Sequence, residues 1–292
     1  MLSIIIPAYF EPYLDKTIKS IFDNATTEIE VIVILDGWQP EQIDERVRVI
    51  KFDENGGMRE AINAGIEMAR GEFILKTDAH CSFARGFDEV LIRDYQEDWL
   101  LAPRTYQLNA EIWKTNNIFF DYYYLSFPDN KGKYGYSITA CATKLKNDIP
   151  IDDTMMFPGT CWFTKKDTFL KYVGKLNSEL YGKIGGEQIE VGLNYWLKGG
   201  AIKVDKNTWY GHFSKRRAFH LLQGKNNYGV KRTPEALRGR EQLTKHWLNN
   251  EEPGIIHNFE WLIQKFWSIS HSFGGWPENW KEVIYNIKYK YL

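Results

Sequence analysis

Asp78 and His80 stand two residues apart in the stretch FILKTDAHCSF (73–83), where an apolar run passes directly into an acid and an imidazole. Side chains alternate along an extended chain, so both project to one side and can reach one ion. A carboxylate plus an imidazole suits Mn²⁺ or a similar divalent cation better than a soft metal. Two protein ligands leave positions open for substrate oxygens, as a catalytic metal requires. His212 is a third candidate. It lies in WYGHF, after a short strand and before a basic run, and would complete an Asp/His/His set. Other readings stay open at this point. D-x-H also describes a polar turn, and a lone histidine is commoner in a core or on a surface.

For such residues to act together, the fold must deliver them to one place. LSIIIPAYFEP (2–12) reads as a buried strand ending at Pro7, and YLDKTIKSIFDN (13–24) has a helical period. EIEVIVILDGW (28–38) and VRVIKFDENGG (47–57) read as strands. MREAINAGIEMARG (58–71) is a helix stopped by Gly71, and EFILKTDAH is a fourth strand. This alternation predicts an α/β fold with a mostly parallel central sheet flanked by helices. Such sheets bind ligands at the carboxyl ends of their strands. Residues 7–11, Asp36, 55–59 and 78–80 all fall at those ends, so four polar clusters converge on one edge.

Downstream, 83–96 reads as a helix. The aromatic run FFDYYYLSF (119–127) has no clear period and reads as a buried strand or helix, or less commonly as stacking faces for a sugar or base. Residues 155–169 suggest a turn, a strand and a helix start. Residues 183–200 suggest a Gly-Gly turn and a helix ended by Gly199-Gly200, and 201–217 a short strand. The pattern then changes. The division is a catalytic domain over 1–217 and a helical C-terminal extension over 218–292, with EEPG (251–254) as an internal linker.

Bulk properties bound the function. At 43% hydrophobic and 15% aromatic, the chain has material for a real core. A net charge of −1 excludes polyanion binding by bulk charge. The charge is uneven, however: residues 203–245 carry eleven Lys/Arg against three acids, a net +8. That block is a solvated face or an anion-binding segment. Cys81, Cys141 and Cys161 show no pairing pattern, which points to a reducing compartment. No leader pattern and no run of about 18 apolar residues is present, so a soluble, cytoplasmic protein without a transmembrane segment is expected.

Seven blocks carry a resemblance. PAYFE (7–11), ILDGW (34–38), NGGMREAINAGIEMARGE (55–72), LKTDAHC (75–81), FPGTCWFTKKDTF (157–169), GGEQIEVGLNYWLKGG (185–200) and YGHF (210–213) come in the order seen in nucleotide-sugar glycosyltransferases of the GT-A fold. The first five resemble family 2 enzymes broadly. D-x-H, the G-G-E-[NQ]-x-E helix start and G-H-x-F are more similar to polypeptide N-acetylgalactosaminyltransferases. The resemblance covers roughly residues 1–217 and implies a Rossmann-like GT-A sheet and a UDP-sugar donor. It also implies Mn²⁺ (or Mg²⁺) held by Asp78, His80 and His212. It places Pro7, Tyr9 and Glu11 along the nucleotide, Asp36 at the uracil or ribose, and Gly57 and Arg59 beside the donor. Glu187 falls near the sugar and acceptor as a catalytic candidate with Asp78. Two departures matter: Asp36 is followed by Gly37 where many members have a second Asp, and Glu187 is followed by Gln188. Glutamine cannot act as a base, so the pair leans towards retention; if the enzyme inverts, Glu187 is the base candidate.

The leaving nucleoside diphosphate develops negative charge, which cations stabilise. Lys215, Arg216 and Arg217 follow His212 and are placed in sequence to contribute, within a basic block that could order as a lid. A nucleotidyltransferase would need a Gly-rich phosphate loop after the first strand, and PAYFEPYLD has none. A nucleotide-sugar hydrolase could use the same metal ligands. A non-catalytic binding module is disfavoured by the intact set of Asp78, His80, His212 and Glu187. The expected acceptor is a glycan or protein, with nucleic acid as the runner-up on account of the +8 block.

Overall fold

A computed structural model of the chain describes residues 1–128, 136–214 and 233–290. The elements begin β1 (Leu2–Ala8), α1 (Leu14–Asn24), β2 (Ile29–Asp36), β3 (Arg48–Phe52), α2 (Met58–Met68), β4 (Phe73–Thr77), β5 (Cys81–Phe83) and α3 (Phe87–Asp94). Next come β6 (Trp99–Asn109), β7 (Lys114–Phe120), β8 (Tyr123–Leu125), β9 (Ala140–Ala142), β10 (Ile151–Asp153) and β11 (Cys161–Lys165). They are followed by α4 (Lys166–Tyr172), α5 (Ser178–Tyr181), α6 (Glu187–Leu197) and β12 (Ala201–His212). The last helices are α7 (Pro234–Leu248), α8 (Phe259–Lys265), α9 (Trp267–Ser272) and α10 (Trp280–Lys290).

One large sheet runs β10-β12-β6-β11-β4-β1-β2-β3, with β5 added to β12 and β7 to β6. The half β4-β1-β2-β3 is parallel throughout. β11 is antiparallel to both β4 and β6, while β6 and β12 are parallel to each other. β8 and β9 form a separate small pair. This is the expected helix-flanked α/β sheet.

Strand alternation explains why two cores form. Ile4, Ile6, Val31, Val33 and Leu35 pack on one face with Leu14, Ile18 and Ile21 of α1 and Leu91 of α3. Ile5, Ile32 and Ile34 point to the other face, against Ile62 and Ile66 of α2. Strands buried on both faces read as unbroken apolar runs, as 4–6 and 31–35 do.

Local boundaries differ from expectation in three places. Residues 83–96 are not one helix: Phe83 ends β5, and Gly86, at φ 69°, begins α3. α2 stops before Gly71, because Ala69 already takes extended backbone. The strand in EFILKTDAH ends at Thr77, and Asp78–His80 form a turn. The aromatic run 119–127 holds the end of β7 and all of β8, in line with its strand reading.

The C-terminal helices do not stand apart. Leu243, Trp247, Phe259, Leu262, Ile263, Phe266, Trp276 and Trp280 join the same core cluster as Ile5, Met155 and Trp162. No helix among the described residues is long and apolar enough to cross a membrane.

Candidate active site

β4 ends at Thr77, and the chain then turns through Asp78–His80 before entering β5. The Asp78 N–H donates to the Thr160 carbonyl at 2.8 Å, which pins this turn to the loop before β11. β12 runs antiparallel to β5 with His212 opposite Cys81, and the Phe213 N–H donates to the His80 carbonyl. This pairing, between segments 132 residues apart, brings two imidazoles together at a 45° tilt, Nε2 to Nε2 at 3.1 Å. Asp78 Oδ2 lies 3.6 Å from each of those nitrogens.

The three atoms form a triangle with sides of 3.1, 3.6 and 3.6 Å. An octahedral hard cation with ligands at about 2.1 Å has adjacent ligands about 3 Å apart. The His80–His212 side matches one edge of an octahedral face, the two sides to Asp78 are about 0.6 Å longer than such an edge, and the oxygen and two nitrogens suit a divalent ion of the Mn²⁺ type. The protonation states also fit. Burial pushes the Asp78 carboxyl up, but the Lys76 ammonium and the bond from His212 outweigh it and hold the group well below the usual range. Burial pushes His212 down from its ordinary 6.5, which favours the neutral imidazole that a cation would require.

Glu11, buried just beyond β1, sets the His80 tautomer. Its Oε2 lies 3.1 Å from His80 Nδ1. A carboxylate there accepts Nδ1–H, which leaves the Nε2 lone pair for the triangle.

Beside this cluster, one cleft is lined by Pro7, Tyr9 and Glu11 from the end of β1, Asp36 from β2, Gly57 before α2, and Ile184. Asp36 organises its floor. The carboxylate accepts from Asn55 Nδ2 at 3.1 Å, from Gly56 N at 2.6 Å and from Gly57 N at 3.0 Å. Its pKa is raised, because burial outweighs those bonds. Gly57 has φ 88°, and a Cβ there would collide with the Lys183 carbonyl. Only glycine permits that approach.

Arg59 sits differently. Its side chain is 0% exposed and its Nε bonds Glu190 Oε2 at 2.7 Å. Its other nitrogens bond the Gly182 and Gly185 carbonyls. The guanidinium thus lies beneath the cleft and fixes the 181–185 loop, rather than facing into the cleft. Glu187 opens α6, and its Oε1 accepts from Gly185 N at 2.5 Å. Gln188 packs against Gly159.

Lys215, Arg216 and Arg217 lie outside the described residues. Two other cations of the basic block, Lys203 and Lys206, are spent on Asp153 and on Tyr122 and Asn147. Sequence reasoning misses Lys76 and Glu190. A signal for Lys76 is nonetheless present: a lysine inside the otherwise apolar FILKT, every residue of which is buried.

A parallel sheet half joined to a mixed one, with a polar cleft and an Asp/His/His cluster at the strand ends, is the arrangement of a GT-A nucleotide-sugar glycosyltransferase. A glycosyl transferase family 2 model matches residues 3–172, and the chain belongs to that family. Human polypeptide N-acetylgalactosaminyltransferase 14 is 22% identical over 75% of this chain and 41% of its own length. An uncharacterized glycosyltransferase of Nostoc sp. is 22% identical over 94% of this chain and 89% of its own length. The crystal structure of GalNAc-T7 with UDP, GalNAc and Mn²⁺ matches with a TM-score of 0.72 at 16% identity, over 94% of this chain and 58% of that one. At that identity the likeness is one of fold. This chain thus spans less than two thirds of both N-acetylgalactosaminyltransferase relatives.

Proposed function

We propose that the protein transfers a sugar from a UDP-sugar to a glycan or protein acceptor with the help of a divalent cation, Mn²⁺ or Mg²⁺, at Asp78, His80 and His212. The observation that carries this reading is the convergence of those three ligand atoms beside the cleft built on Asp36 and Gly57. A cation held there supplies Lewis-acid neutralisation of a leaving diphosphate. The chain's own residues do the rest. Pro7, Tyr9, Asp36 and Gly57 seat the nucleoside, and Glu11 keeps His80 oriented. Lys215, Arg216 and Arg217, by their position after His212, add charge-assisted bonds to the diphosphate.

The stereochemical reading is retention with Glu187 near the sugar, supported by the Gln188 that follows it. A glutamine gives α6 no second carboxylate to deprotonate an acceptor.

Turnover of a panel of UDP-sugars, with Mn²⁺ or with chelator, tests this function. Asp78→Ala and His212→Ala should each lower cation-dependent turnover by about a thousandfold or more. Normal turnover in both rejects the site. NMR of the product's anomeric centre tests retention; an inverted product would make Glu187 the base.

A further inference from the structure

Lys76 lies in β4, and its side chain is 2% exposed. An ammonium leaves water only where it is compensated. Two acceptors do this here: Asp78 Oδ1 at 2.5 Å and the Gly159 carbonyl at 2.7 Å. The charge therefore sits one carboxylate away from the ligand triangle, because Asp78 turns its other oxygen, Oδ2, to His80 and His212. A dication reaching Oδ2 is repelled by the ammonium, and it cannot chelate both Asp78 oxygens while Oδ1 is held. A diphosphate reaching the same place is attracted.

We infer that Lys76 is a positioning residue that orders the assembly of the site: it weakens divalent-cation binding to the nucleotide-free protein and strengthens nucleoside diphosphate binding, so that the cation enters with or after the nucleotide. This rests on the cation site proposed above. Among the described residues, Lys76 is the ammonium in direct contact with Asp78, the acidic member of the triangle.

The test uses the full chain with Lys76→Met, a neutral side chain of similar length. Mn²⁺ is titrated without nucleotide, by electron paramagnetic resonance of the free ion. UDP is titrated calorimetrically in chelator. The Mn²⁺ dissociation constant should fall by about tenfold, and that of UDP should rise by about threefold or more. The opposite signs are diagnostic, because a merely loosened site would weaken both. Mn²⁺ binding that is unchanged or weaker, or UDP binding that is unchanged or tighter, overturns the inference. Lys76→Gln can still donate to the Gly159 carbonyl and carries the same test should the Met variant not fold. An Asp78→Ala control separates the two levels. If it leaves Mn²⁺ binding intact, the cation site itself is wrong. If it abolishes binding while the Lys76 variants shift nothing, only the ordering falls.

Discussion

Glu11 shows what one side chain contributes without touching a cation. By accepting from His80 Nδ1 it decides which imidazole nitrogen carries the lone pair. Partners of this kind typically account for ten- to hundredfold in metal affinity. Glu11→Gln should therefore weaken Mn²⁺ binding by about tenfold or more, read by direct titration. At this scale the sequence is informative where spacing is local. Asp78 and His80 are two apart, so a single turn after β4 keeps them close, although they do not lie on an extended strand. The Glu11–His80 and Arg59–Glu190 contacts span 69 and 131 residues, and no local period encodes them. Arg59 illustrates the limit. Its place at the start of α2 suggests a donor contact, but a guanidinium with five donors and a carboxylate in reach turns inward to the 181–185 loop instead.

Among the elements, β12 carries an irregularity with a chemical signature. Its register against β6 shifts between Asp205 and Trp209. Asp205 at that bulge is fully buried, with Oδ1 bonded to the Asn207 N–H and Oδ2 without a partner among the described residues. Burial raises its pKa from 3.8 to about 7. The folded state therefore holds a proton that the unfolded chain releases above about pH 4. The stability linked to it is complete below that pH and is lost as the pH rises through about 7. Asp205→Asn keeps an oxygen for Asn207 and removes the ionisation. It should stabilise the protein by about 2 to 4 kcal/mol at pH 8 and by little at pH 4, checked by denaturant midpoints at both values. The parallel half of the sheet is legible, because strands buried on both faces announce themselves as apolar runs between helical periods. The β6–β7 hairpin is not. Its turn contains no glycine or proline, and Trp113 takes a left-handed φ of 52° that nothing in NAEIWK signals.

For the molecule as a whole, the question is whether residues 218–292 are an appendage. The described part of that region buries Trp247, Trp276 and Trp280 in the same apolar cluster as the sheet, with Trp247 and Trp276 at 0% exposure, while Trp261 and Trp267 pack against it half-buried. Trp247→Ala should cost about 3 to 5 kcal/mol and lower the midpoint of a single cooperative unfolding transition. Two transitions, with the upper one unmoved, would mark an independent unit. The sequence shows these helices by their period but not their partners, because amphipathicity fixes which face is apolar and says nothing of what covers it. Gly239 of α7 lies directly on the Tyr181 carbonyl, where any Cβ would clash. Tyr181 opens the loop whose Ile184 walls the cleft beside Asp36. Through that close backbone approach, a helix late in the polypeptide bears on a wall of the cleft built at its head.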